Sequence, residues 1–545
     1  MGAGSGRVHN RPMPNRSLPP FRTVALLATA GAITLASTAI ATAAPATADC
    51  AGAAAATPAY ATCEAHDLEI TGQNATKHGD LTAGIARDTV AYQQARARAL
   101  RADPERHPDP NSCTTVAACP IDPRMDGWTS RGGLVSPVLY TSRSGATISG
   151  HVWATVAGPA KRPGIVITNG SIIGYEQAYW FLAQSLAKAG FVVMTFDTQG
   201  EGMSDQLGEA PDQREDAFAG IPILGLLGPR PITQDVLGGN GLPFYDGTED
   251  ALDFLLSTPS SPYVPVPSRM TGTSHAAKQT RRVAAGLDAA YNPLWSILDK
   301  DHIGLTGHSY GAQAADWLAQ KDPRVDAAVG IDSLCVPVSP SPDEAVSLAS
   351  PAPDFGGVPY VTYGFNKTCF STPPGPAPAI TKPVLGIAGD YLLSPIPYVV
   401  PPNPLGKSRA SLAHTAAGVD TGQILVRGGT HLSFADVPVL FPSSLRAIDM
   451  LTWYTTAWFE KYLEHKPTAD AMLLTDRWQT DTATGAIDPV KDPNLFSWHF
   501  SSRLDVTSST GTRIDCENLR AGCSSMVPKA DDSWPGEYSI VTAGR

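Results

Sequence analysis

The chain has 545 residues and a net charge of −11, which argues against a nucleic-acid partner and fixes little else. Its length leaves room for one large α/β domain plus extensions, and 50 Gly and 48 Pro call for a loop-rich protein with many turns.

Residues 1–48 read as a secretory signal peptide. Arg7, Arg11, Arg16 and Arg22 make a basic start, Val24 to Ala41 is an uncharged run, and Ala46-Thr47-Ala48 offers a small-residue cleavage site. Asp49 is then the expected mature N-terminus of a secreted, extracellular protein. No twin-arginine pair precedes the run, and no later stretch is apolar enough to span a bilayer, so no stable membrane anchor is expected. Export fits the eight cysteines, an even number, all beyond residue 48. Spacing suggests the neighbour pairs Cys50–Cys63, Cys113–Cys119, Cys335–Cys369 and Cys516–Cys523, although eight cysteines allow 105 pairings. No C-x-x-C with nearby His suggests zinc, so no metal is expected.

Residues 49–127 form an Ala-rich, cysteine-bearing extension with one helix candidate, Leu81 to Ala102, expected to be strapped across the main domain by disulfide bridges. Val135 to Ala154 alternates apolar and polar around Ser144-Gly145, the pattern of a β-hairpin. Pro163 to Thr168 is a buried-strand run, Glu176 to Ala189 a helix, and Phe191 to Asp197 the next strand. Together they make a βαβ unit and predict a parallel sheet. A helix follows at Gly247 to Ser257, a strand at His302 to Thr306 and an Ala-rich helix at Ala312 to Gln320. Further strands are expected at Val325 to Asp332, Pro383 to Ala388 and Gln423 to Arg427, before a long helix at Leu445 to Leu463. The whole predicts a doubly wound α/β domain over residues 128–465. Two insertions, about 206–245 and 259–293, interrupt it. They read equally as a lid or acyl pocket over the site and as plain surface excursions. Residues 466–545 are a polar C-terminal extension, either a few strands packed on the main domain or a small module.

Between strand and helix lies Gly307-His308-Ser309-Tyr310-Gly311. A Gly-x-Ser-x-Gly in this context holds a serine hydroxyl at the tip of a sharp, strained turn, exposed for attack on a carbonyl. Such a serine needs a base, and the base needs a carboxylate to orient it. His431 follows the strand Ile424 to Arg427 and its glycine turn, which puts an imidazole on a loop. Asp390 directly follows Gly389 at the end of another strand and is the leading acid; Asp332, after Ala327 to Ile331, is the alternative.

The order Ser309, Asp390, His431, with the loop Asp197-Thr198-Gln199-Gly200-Glu201-Gly202-Met203-Ser204, resembles the α/β-hydrolase superfamily across about 340 residues. The resemblance implies an oxyanion hole from the backbone N–H groups of Tyr310 and Ser171. It also implies a serine hydrolase, without cofactor, that cleaves carboxylic esters through an acyl-enzyme. Apolar insertions suggest an esterase or lipase acting, as a monomer, on a small-molecule, lipid or polymer ester. The alternatives are a serine peptidase of prolyl-peptidase-like type and a non-catalytic binding protein of the same fold. His308 is expected to pack against the sheet, and Tyr175 and Trp180 to serve either an acyl site or the core.

Overall fold

The computed structural model describes chiefly residues 127–170, 175–209, 242–332, 378–391, 411–435, 445–476 and 500–523, with scattered residues at 94–106, 212, 334, 495–497 and 527–528. The expected signal peptide, the helix candidate at 81–102 apart from five helical positions, most of the 206–245 insertion and six of the eight cysteines lie outside the described residues.

Ten strands join in one mixed, mostly parallel sheet. In chain order the first eight are β1 (Gly133–Thr141), β2 (Thr147–Thr155), β3 (Arg162–Thr168), β4 (Val192–Phe196), β5 (Leu298–His308), β6 (Ala327–Ile331), β7 (Val384–Tyr391) and β8 (Thr421–Thr430). Two-residue strands β9 (Thr475–Asp476) and β12 (Val527–Pro528) pair separately, whereas β10 (Arg503–Thr507) and β11 (Arg513–Cys516) join the main sheet. The spatial order is β1-β2-β4-β3-β5-β6-β7-β8-β10-β11. Strands β4, β3, β5, β6, β7 and β8 run parallel; the hairpin β1–β2 at one edge and β10–β11 at the other bring the antiparallel pairs.

Side chains alternate across each strand, so the parallel strands feed two cores. Ile165, Ile167, Val193, Val329, Leu385 and Ile424 face one side, where they meet α1 (Trp180–Ala189) and the helix Leu445–Leu463. Val166, Val192, Met194, Leu305 and Ala328 face the other, against α2 (Leu242–Leu255) and the helix Tyr310–Lys321. Each large side chain that is fully buried, such as Trp458 or Phe181, contributes on the order of 1.5–3 kcal/mol. In chain order the remaining helices are α3 (Ala276–Ala284), α4 (Tyr310–Lys321), α5 (Leu412–Ala416), α6 (Leu445–Leu463) and α7 (Thr468–Leu473).

Two segments whose role the sequence leaves open make described contacts with the sheet. The 259–293 insertion lies along the outer edge of β1. Ala289 N–H donates to Leu139 O (2.8 Å), Thr141 N–H to Gln279 Oε1 (2.8 Å) and Tyr263 Oη to Thr141 O (3.0 Å). It is an edge cover, satisfying groups that would otherwise template pairing with another chain. The C-terminal extension, in turn, is continuous with the main sheet: Arg503, Leu504 and Asp505 pair with Gln423, Gly422 and Thr421. Cys516–Cys523, bridged with Cα atoms 6.0 Å apart, closes the loop after β11.

The N-terminal extension is strapped where it is described, by charge. Arg282 Nη2 and Nε bind Asp103 (2.8 Å) and Asp288 (2.9 Å), and Arg106 Nε binds Asp205 (2.6 Å). Burial alone would raise the Asp103 carboxyl, yet the Arg282 guanidinium holds it below its usual value. Among the described residues no helix is long and apolar enough to cross a membrane.

Candidate functional site

From β3 the chain enters α1 on one face and returns as β4; from β5 it enters α4 on the other face and returns as β6. Strand order therefore reverses between β3 and β5, and it is beyond the carboxyl ends of strands at such a switch point that open α/β sheets bind ligands. Ser309 follows β5 at that end of the sheet. It is the single residue between β5, which ends at His308, and α4, which begins at Tyr310.

Ser309 has φ 57° and ψ −119°, a conformation disfavoured for any residue with a Cβ and worth on the order of 1–3 kcal/mol of strain. The flanking glycines make the turn possible. A Cβ on Gly311 would overlap the carbonyl oxygens of Thr168 and Asn169, and one on Gly307 would overlap the carbonyl of Gly311. A Cβ on Gly170 would stand 2.9 Å from His308 Nδ1 and 3.3 Å from Ser309 Cβ, so the strand-β3 loop lies directly on the serine turn. Tyr310, the first residue of α4, is buried and stacks on Phe244 of α2 with ring centroids 5.4 Å apart. Burial pushes its phenol up to about 12. Its backbone N–H belongs to a helix N-terminus, where such groups favour negative charge. Ser171 lies outside the described residues.

His431 opens a 3-10 turn, His431–Phe434, immediately after β8. Thr430 and Ser433 close a reciprocal capping box, with Thr430 N–H donating to Ser433 Oγ at 2.9 Å, which fixes the loop carrying the imidazole. His431 Nδ1 is paired with Asp332 Oδ2. Asp332 Oδ1 accepts the Gly389 N–H at 3.2 Å, and its own N–H donates to Ile387 O at 2.7 Å. Among the described non-glycine residues, positive φ occurs at Ser309, at Asp332 (56°) and at His465.

Thus the carboxylate paired with His431 is Asp332, the second of the two that the sequence offers. Asp390, the leading candidate, has its backbone on β7, and its side chain lies outside what is described. Asp332 is readable from sequence only as a carboxylate after a strand; its reach to His431 depends on a left-handed backbone for which a non-glycine residue gives no cue. The His431 ring lies 4.5 Å from that of His308, the residue before the strained serine; a carboxylate–imidazole pair that reaches a serine hydroxyl can take its proton and hold the resulting cation.

The other motif residues prove structural. Asp197 is buried and clamps its own loop, accepting the N–H groups of Glu176 (2.7 Å) and Met203 (2.7 Å). Burial drives its carboxyl well up, Glu176 adds to the push, and those two N–H groups oppose it. A Cβ on Gly202 would overlap the Asp197 carboxyl, which explains the glycine there. Tyr175 is fully buried in the core, and Trp180 stacks edge-on to Trp153 at 5.1 Å. Sequence reading missed Tyr179, whose hydroxyl meets His308 Nδ1 at 2.8 Å. Among the described residues no cluster of His, Cys, Asp and Glu could hold a metal.

Comparison with protein-family models finds no match to this chain, and comparison with curated proteins finds none either.

Proposed function

We propose that the protein is a secreted serine hydrolase of the α/β-hydrolase superfamily that cleaves carboxylic esters through an acyl-enzyme. The observation that carries this reading is the pairing of His431 with Asp332 at the sheet edge that also bears Ser309 in a strained turn. Strain retained in a fold calls for a reason, and presentation of a nucleophile on a strand-to-helix turn supplies one.

In this mechanism Ser309 Oγ attacks the ester carbonyl while His431 Nε2 takes its proton. Asp332 holds Nδ1–H, which keeps Nε2 free to act as the base, and stabilises the imidazolium. The tetrahedral oxyanion is met by backbone N–H groups, assigned to Tyr310 and Ser171. His431 then gives its proton to the departing alkoxide, and water repeats the sequence on the acyl-enzyme. The acid role passes from Asp390 to Asp332. The substrate class remains a small-molecule, lipid or polymer ester, acted on by a monomer outside the cell.

Labelling with a fluorophosphonate probe tests the reading. One equivalent of label on Ser309, absent from Ser309→Ala, together with turnover of p-nitrophenyl acyl esters, is expected. Robust cleavage of Xaa-Pro amides without ester turnover would transfer the site to a peptidase, and an unlabelled serine would leave a binding protein.

A further inference from the structure

His308 packs against the sheet as its sequence context suggests, yet its ring also makes two directed hydrogen bonds. Nε2 lies 2.8 Å from the carbonyl oxygen of His431, and Nδ1 lies 2.8 Å from Tyr179 Oη. Tyr179 Oη in turn accepts the Gly170 N–H at 3.2 Å. A carbonyl oxygen only accepts, so Nε2 carries the ring proton. Nδ1 of a neutral ring only accepts, so Tyr179 donates to it. For the neutral ring the protons run Gly170 N–H to Tyr179 Oη, Tyr179 O–H to His308 Nδ1, and His308 Nε2–H to His431 O.

We propose that Tyr179 and His308 are positioning residues, which tie the loop after β3 to the serine turn and to the loop carrying His431 through this single chain. The inference rests on the hydrolase reading. It gives a reason for an imidazole beside the nucleophile. The loops that bear the base and the oxyanion-side backbone come from β8 and β3, separated in the sheet by β5, β6 and β7. Both residues are buried, His308 at 3% and Tyr179 at 1% exposure, so the chain is shielded from competing water.

The same contacts keep His308 uncharged. Its ring stands 4.5 Å from the His431 ring, where a second positive charge would oppose the imidazolium formed in the reaction. Among the described residues, Tyr179 from the turn before α1 and His431 with Asp332 behind it face the ring. Glu201, buried in the loop after β4, acts on Tyr179. Burial raises the Tyr179 phenol, and Glu201 adds to this against the Gly170 N–H, so the hydroxyl stays protonated and occupies the place a second His308 proton would need.

The test compares Tyr179→Phe, His308→Leu, His308→Gln and the double variant Tyr179→Phe/His308→Gln in kcat, KM and pH profile. Histidine ring tautomers are read in parallel by nitrogen-15 NMR. His308→Leu should lose about tenfold to a hundredfold in kcat with KM unchanged, the range in which misplacement of a catalytic group acts. His308→Gln, whose amide can still donate to the His431 carbonyl, should recover to within about fivefold. In Tyr179→Phe the freed Nδ1 takes a proton as pH falls, so the acidic limb of kcat/KM should move to higher pH and steepen. The double variant, with nothing left to titrate there, should return the limb to its original shape. Wild-type His308 should remain the neutral Nε2–H tautomer from about pH 5 to 8. A wild-type His308 that titrates in that range overturns the proposal, as do Tyr179→Phe and His308→Leu variants with unchanged kcat and limb. If wild-type Ser309 takes no probe, the hydrolase reading falls on its own, and the tautomer still decides whether the chain of bonds exists.

Discussion

Replacing Asp332 by Asn keeps shape and removes charge, and the cost can be worked from the contacts of the carboxylate. Asn tolerates the left-handed backbone found at this position better than most residues, so φ 56° is no obstacle to folding. The amide must then choose an orientation. Gly389 N–H needs the oxygen that Asp332 Oδ1 now supplies, which turns the NH2 toward His431 Nδ1. Nδ1 is forced to accept, the proton moves to Nε2, and the imidazole can no longer act as a base toward Ser309. The opposite orientation leaves the buried Gly389 N–H facing a donor, at about 1–3 kcal/mol. In either case the imidazolium loses its counter-charge, worth about 4 kcal/mol for unit charges roughly 4 Å apart at an effective dielectric of about 20. The sum, about 5–7 kcal/mol, corresponds to a loss of about 10⁴ to 10⁵ in kcat. The assay is p-nitrophenyl ester hydrolysis near pH 8, with circular dichroism to show that the fold is kept, run beside Asp390→Asn. That second variant should stay within about tenfold of wild type. An Asp332→Asn enzyme of near-normal kcat, or an Asp390→Asn enzyme that loses most of its activity, would refute the assignment of the acid.

The strain at Ser309 makes a separate prediction: Ser309→Gly and Ser309→Ala should both be inactive, but the glycine variant should be the more stable by about 1 kcal/mol, because φ 57° with ψ −119° is open to glycine. Equal melting temperatures for the two variants would show that the turn stores no strain. Gly311→Ala should destabilise by about 2 kcal/mol or more, read by urea unfolding, since its Cβ would overlap two carbonyl oxygens of the β3 loop; a change under about 0.5 kcal/mol would show that the turn can relax. Asp212 concerns pH. Burial would raise it, but Thr271, His275 (2.7 Å) and Ser268 (2.9 Å) hold its carboxyl below the usual value. A folded pKa below the unfolded one stabilises above the unfolded value, about 3.9, and this contribution is lost as pH falls through the folded value. Wild type should therefore exceed Asp212→Asn in unfolding free energy at pH 6, with the gap closing below about pH 4; a gap that widens with acid would reverse the sign and defeat the account.

Much of the architecture is legible in the sequence because local pattern and burial agree. The helix Leu445–Leu463 has the bounds its apolar periodicity gives, and Pro163 to Thr168 falls within β3 because a strand covered on both faces must be apolar throughout. The serine turn is legible because glycine is the only residue that fits so near the Thr168 and Asn169 carbonyls. What escapes is whatever depends on distant partners. Leu504 of β10 pairs with Gly422 of β8, more than eighty positions away, so nothing local in that polar tail says that it extends the sheet. The 259–293 segment is ambiguous for the same reason: covering an edge is a property of β1, written elsewhere in the chain.

The place of Asp332 shows how the sheet positions a carboxylate that sequence leaves as one of two candidates. Ser309 N–H donates to Ile331 O of β6 at 2.9 Å, and Asp332 N–H donates to Ile387 O of β7 at 2.7 Å. Each strained residue is thus anchored by its amide to the next strand before its backbone departs into the left-handed region. Gly389 N–H then returns from β7 to the Asp332 carboxylate. Serine, aspartate and the strand behind them are linked in a row by two backbone bonds and one backbone-to-carboxylate bond, and the imidazole reaches that row from β8. Ladder register is set by burial on both faces, because a one-residue slip would turn Leu385 and Ile387 out of their core. The position of Asp332 is therefore fixed by the same hydrophobic alternation that builds the sheet, and a substitution that shifts β7 should move Asp332 off His431 without touching either residue.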